Sequence, residues 1–136
     1  MAYYTPEEKL LYLIPKLENE HRDFINKFDI LYWELLSKEL FISNFQKLSK
    51  NIILHINNEK QVYDYLKANK SYTEETYLIS QQRQQIIELI DLISSSLSIN
   101  RAELLNELEN KLMAHFVKEE NNVFRRALEI VYINLK

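Results

Sequence analysis

Apolar residues recur three and four positions apart through most of this chain, the period of one face of an α-helix. One such face carries Leu17, His21, Phe24, Phe28, Leu31 and Leu35 and predicts a helix over about residues 15–37. A second, with Phe45, Leu48, Ile52, His55, Glu59, Val62 and Leu66, predicts a helix over about 41–68. Ile79, Gln82, Ile86, Leu89 and Ile93 mark a third, over about 73–96. The fourth, over about 101–134, carries Leu105, Leu108, Leu112, His115, Glu119, Val123, Ala127 and Ile130. Ahead of them, Thr5, Pro6 and Glu8 form a capping box with proline at the first helical position, and Pro15 ends that segment, so residues 6–14 are expected to be a short helix or arm. A second capping box, Ser71 to Glu74, is expected to open the third helix; the break "SSSLSIN" and Asn100 with Glu103 are expected to open the fourth. Similar lengths and short connections predict an all-α fold, an antiparallel up-down four-helix bundle with a short N-terminal helix or arm, in one domain spanning residues 1–136.

Composition sharpens this expectation. Glycine is absent and both prolines lie near the start; β-hairpins and phosphate-cradling loops need glycine at positive φ, and helices do not. There is no cysteine, which excludes disulfides, thiolate nucleophiles and thiolate metal ligands. The formal net charge is −3 with no long run of like charge, so neither a nucleic acid nor a membrane surface is the expected partner. The opening "MAYYTPEEKL" lacks the basic-then-apolar pattern of a secretory signal, and a cytoplasmic chain is expected.

The chain's three histidines all fall on the apolar faces. Two of them begin the same arrangement: "HINNE" places Glu59 one turn after His55, and "HFVKE" places Glu119 one turn after His115. Spacing of i, i+4 puts both side chains on one helix face. At about 1.5 Å of rise per residue, His21 and His55 both lie roughly 25 Å from the first turn. Counting from the other turns brings His115 and Gln82 or Arg83 to the same height. The polar interruptions of all four faces therefore meet in one layer. Imidazole and carboxylate are ligands for iron, manganese or zinc, and facing helices of a bundle can supply them together.

With those residues in place, "PKLENEHRDF", "HINNEKQVY" and "HFVKEENNVF" resemble the hemerythrin family in its bacterial His-His-Glu form, over about residues 15–130. The resemblance implies a non-heme iron site with His21, His55, Glu59, His115 and Glu119 as ligands. It also implies a role in binding or sensing iron, dioxygen or another small ligand. The third helix departs from the family pattern: "SQQRQQI" offers Gln82 or Arg83 where the family has histidine. Arginine stays protonated and cannot ligate, but it can supply charge. With so few nitrogens the site is expected to be reduced, with one iron or two, and reversible oxygen carriage is disfavoured.

The alternative reading is a metal-free bundle with no cofactor, acting as a structural or interaction module, with Arg83 paired to Glu59 or Glu119 in place of a metal. A di-iron oxidase ranks below both; no other catalytic constellation is present, so a binding protein rather than an enzyme is expected. Tyr3, Tyr4, Tyr12, Tyr32, Trp33, Tyr65, Tyr72, Tyr77 and Tyr132 lie mostly off the apolar faces and are expected at helix ends, or in a homodimer contact.

Overall fold

The chain was analysed as a computed structural model, which describes residues 4–95 and 100–136. Among them there is no strand. Helix α1 spans Pro6–Glu34, α2 Lys38–Ala68, α3 Glu74–Ser95 and α4 Arg101–Lys118; a π-helical segment, Glu119–Phe124, then leads into α5, Arg125–Asn134. Together α4, the π segment and α5 occupy the place of the fourth predicted helix. No described helix is long and apolar enough to cross a membrane.

The capping box at Thr5 forms as expected: the Glu8 amide donates to the Thr5 hydroxyl at 3.1 Å, and the Thr5 amide reaches the Glu8 carboxylate at 3.5 Å. The separate N-terminal arm does not form. Pro15 lies inside one continuous helix, on its exposed side. There proline supplies no amide for the Leu11 carbonyl one turn back, while Leu10, Ile14 and Leu17 stay buried on the inner side. Packing of that face outweighs the local cost of proline, which is about 3 kcal/mol.

The other helix ends differ from expectation in detail. Helix α3 is capped by Thr73, whose hydroxyl accepts from the Thr76 amide at 3.2 Å, and not by Ser71. The Ser71 amide instead donates to the Leu66 carbonyl at 2.8 Å, and the Lys70 amide to Lys67 at 3.2 Å. This pair of bonds closes the end of α2 in a Schellman motif, with Lys70 at φ 57° where glycine is usual. Asn100 precedes α4 without a side-chain capping bond; residues 96–99 of the predicted break lie outside the described residues, as does Tyr3. The α1–α2 turn is held by Asn44, whose amide donates to both Glu34 carboxylate oxygens at 2.7 and 2.8 Å.

Two apolar clusters fill the interior. One gathers Phe24, Phe28 and Leu31 of α1, Phe41 to Ile52 of α2, Ile86 to Ile93 of α3, and Leu105, Leu108 and Leu112 of α4. The other gathers Leu10, Ile14 and Leu17, then Val62 to Leu66, Ile79, and Val123 to Val131. In every helix the residues between the two sets are the polar ones: His21, then His55 and Glu59, then Gln82, then His115 and Glu119. The polar layer is thus sandwiched between two dry cores.

Two stability effects follow. Lys70→Gly should stabilise the protein by about 1 kcal/mol, because it relieves a left-handed conformation costing about 1–2 kcal/mol and returns part of that as chain entropy. Leu108→Ala, at a position with no exposure, should destabilise by about 2–5 kcal/mol. Urea unfolding midpoints measure both; an unchanged midpoint for Lys70→Gly would mean that the turn carries no strain.

Candidate metal centre

Helical spacing delivers the layer. His55 and Glu59 project from one turn of α2 to the next, and His115 and Glu119 do the same from α4 into the π segment; His21 comes from α1. All five are buried, at 0–2 % exposure. The His21 and His55 Nε2 atoms are 3.0 Å apart. His55 Nε2 lies 3.2 Å from Glu59 Oε2, and His21 Nε2 lies 3.7 Å from the same oxygen. Glu119 turns one oxygen each way: Oε1 is 3.5 Å from His21 Nε2, and Oε2 is 3.4 Å from His115 Nε2.

The opposite ring nitrogens are all engaged. His21 Nδ1 donates to Glu120 Oε2 at 3.2 Å, His55 Nδ1 to Glu20 Oε1 at 2.7 Å, and His115 Nδ1 to Gln82 Oε1 at 2.9 Å. Each acceptor is a carboxylate or amide oxygen, so each Nδ1 carries hydrogen. A ring held this way at Nδ1 turns Nε2 inward, and when neutral it presents the Nε2 lone pair there. Phe116 stacks on His21 with ring centroids 3.7 Å apart and fixes its plane.

Electrostatics follow from burying two acids together. Burial and the neighbouring Glu119 push the Glu59 carboxyl well above the usual carboxylate range, so it holds the pair's proton. Burial opposes the charge of Glu119 as well, but the nearby Glu59 carboxyl and the His115 and His21 rings overcome this and hold it well below that range. Burial works against a charged His21, yet its contacts with Glu119 and Glu59 raise it to about 9. Burial lowers His55, against the pull of Glu20. Tyr63, buried one turn beyond Glu59, donates its phenol proton to Glu119 Oε2 at 2.8 Å. Burial and the two carboxylates push that phenol upward.

The donors suit a metal ion. Buried Glu59 Oε1 and Oε2, Glu119 Oε1 and His115 Nε2 have no hydrogen-bond partner within the geometric limits of a good bond. Such orphaned groups are costly in a dry interior unless something pairs with them. His21, His55, Glu59 and Glu119 each offer a donor atom within 4.8 Å of the others, a group that could hold a metal ion. Two ligands at right angles around one ion, each about 2.1 Å away, stand about 3 Å apart, close to the separations seen. Two carboxylates also match the charge of one divalent cation.

The structure thus brings the five expected residues into one layer. Gln82 and Arg83 do not behave alike. Gln82 backs His115. Arg83 lies over the Tyr63 ring, 4.3 Å from its centroid, and donates to the Ser80 carbonyl at 3.2 Å; among the described residues its guanidinium forms no ion pair with Glu59 or Glu119. The contact on which the metal-free alternative relied is therefore missing. Glu20 and the orienting role of Glu120 were not foreseen; the one signal for Glu20 is its place beside His21 in "EH", since the partner it reaches is on another helix.

A helical bundle whose core carries a His/Glu cluster able to hold a cation is a metal-site bundle by class. The family follows from the sequence: residues 12–127 match the model described as the Hemerythrin HHE cation binding domain, and the chain belongs to that family. No curated protein and no solved structure matches it.

The Tyr63 bond to a buried anion is testable without metal. Tyr63→Phe should lower stability by about 1.5–3 kcal/mol in the presence of chelator, the range for hydrogen bonds to charged groups. Denaturant unfolding measures it, and a loss under about 0.5 kcal/mol would show that Glu119 is satisfied without the phenol.

Proposed function

We propose that this chain binds a metal ion, iron in the first place, at His21, His55, Glu59 and Glu119 with His115 at the edge, and that it serves iron- or oxygen-linked binding or sensing. One observation carries the reading. All three imidazoles are held at Nδ1 by acceptors on the side away from the two buried carboxylates, so that every Nε2 faces Glu59 or Glu119. A hydrogen-bonded core has no need of that common orientation; a ligand set does.

An antiparallel up-down arrangement in one domain supports the same reading. Residue pairings run in opposite senses between sequence neighbours: Glu34 with Asn44 and Glu20 with His55 across α1 and α2, and Gln85 with Lys111 and Gln82 with His115 across α3 and α4. That arrangement sets all four helices at one height in the layer.

Bound there, iron would supply a redox-active Lewis acid able to take a small ligand such as dioxygen. The chain's own residues do the rest. Glu20, Glu120 and Gln82 orient the imidazoles. Phe116 and Phe124 flank His21, at 3.7 and 5.7 Å between centroids, and exclude water. Tyr63 donates a hydrogen bond to Glu119 and keeps its own proton. A surface cleft of ≈ 350 Å³ between Ile25, Met113 and Val117 reaches His21 and Glu120, and gives a small molecule an apolar approach.

Metal bound only by the folded state must raise its stability, by about 2.7 kcal/mol at free metal about 100 times Kd. Melting curves with added ferrous ion should therefore shift upward relative to chelator. Glu59→Gln and Glu119→Gln should each shrink the shift, since a neutral amide is the weaker ligand. A wild-type curve indifferent to every divalent metal ends the reading. Metal analysis after expression in iron-supplemented medium tests the choice of iron; zinc or manganese in its place would leave the site and overturn its assignment.

A further inference from the structure

We infer that the centre takes one metal ion and not a pair, seated between His21, His55, Glu59 and Glu119, with His115 outside the ligand set. This rests on the metal-binding reading above and goes further, to the count of ions and the roles of individual residues.

The layer is lopsided in donors. Four groups have ligand atoms mutually within 4.8 Å, and His115 is not among them. It stands on the far side of Glu119, at 3.4 Å from Oε2, while the cluster side of Glu119 is Oε1. A second ion on the His115 side would have one nitrogen. Its carboxylate oxygen already accepts the Tyr63 phenol at 2.8 Å. Tyr63 is 2 % exposed, and Arg83 lies against its ring, so the phenol has little freedom to turn away. Helix α3 adds nothing: Gln82 directs its carbonyl to His115 Nδ1, and its buried neighbours Ile79 and Ile86 are apolar.

Charge is lopsided in the same sense. His21 and His55 are backed by the carboxylates of Glu120 and Glu20, which make an imidazole a better ligand. His115 is backed by a neutral amide. The Arg83 cation stands on that same side, against Tyr63. Two buried carboxylates neutralise one divalent ion; a second would be in excess, beside a fixed positive charge. His115 then remains a hydrogen-bonding group next to the ion.

Stoichiometry tests this directly. The metal-free chain of residues 1–136 is titrated with zinc, and anaerobically with ferrous ion, and bound metal is counted by equilibrium dialysis. One equivalent per chain is expected for each. His115→Ala should keep that equivalent with less than about a tenfold loss of affinity, whereas His55→Ala should lose more than about tenfold. Melting curves establish that both variants fold, and the wild-type count stands without either. Two equivalents in the wild type would overturn the proposal, as would a His115→Ala protein as impaired as His55→Ala. Failure to bind either metal would remove the functional reading and this one together, an outcome distinct from a count of two.

Discussion

Two carboxylates, Glu59 and Glu119, are shut away from water in a helical interior, with no measurable exposure. That is costly, since a buried ion costs several kcal/mol even after relaxation. The surroundings are arranged around that cost. Tyr63 donates a hydrogen bond to Glu119 Oε2, which His115 also faces, His21 faces Oε1, and Glu59 keeps its own proton while Glu119 stays ionised. The rim residues hold the imidazoles still. Apolar clusters on both sides keep water out, and burial of Phe28, Phe45, Leu108 and their neighbours offsets what the layer loses. An all-apolar layer would be easier to fold. The polar one persists with several atoms unsatisfied, which is the condition of a site prepared for a cation rather than of a finished hydrogen-bond network.

Much of this was legible in the sequence, for a definite reason. Burial on one face imposes the helical period, so Leu17, Phe24, Leu48, Ile86 and Leu112 announce themselves. A histidine among them announces an exception, and heights counted from the turns put the exceptions in one layer. Local rules failed where tertiary packing overrode them. Pro15 is a helix breaker by local preference, yet the buried face it interrupts runs on from Leu10 to Leu17. Without glycine in the chain, Lys70 gave no sign of a left-handed turn. Tyr65 does lie at a helix end, in the last turn of α2, where it is buried and its hydroxyl accepts from Asn134 at 3.0 Å. The choice between Gln82 and Arg83 was open because adjacent residues differ by about 100° around a helix and height alone does not separate them.

Glu20 was invisible for a different reason. Periodicity reports which residues face inward, and Glu20 is at the edge, acting across to the next helix. Residues that orient a ligand from the rim are partly exposed and polar, and so look like ordinary surface. The same holds for Glu120, which is partly exposed and stands against His21 of α1.

The π segment has no sequence signal at all, since neither proline nor glycine marks it, yet it shapes the site. Glu119 and Glu120 are consecutive in it and take opposite sides of one imidazole: Glu119 lies 3.5 Å from His21 Nε2 inside the layer, and Glu120 lies 3.2 Å from His21 Nδ1 at its rim. Phe116 and Phe124, from before the segment and at its end, stack on the same ring. One irregular turn therefore grips His21 at both nitrogens and flanks its ring. Such turns are frequent at functional sites, and here the departure from regular geometry brings two carboxylates from adjacent positions to opposite nitrogens of His21. The helix that gives up regular hydrogen bonding is the one that supplies Glu119, the carboxylate whose two oxygens face different histidines. Its placement, more than that of any single histidine, determines how the layer divides between the four-donor cluster and His115.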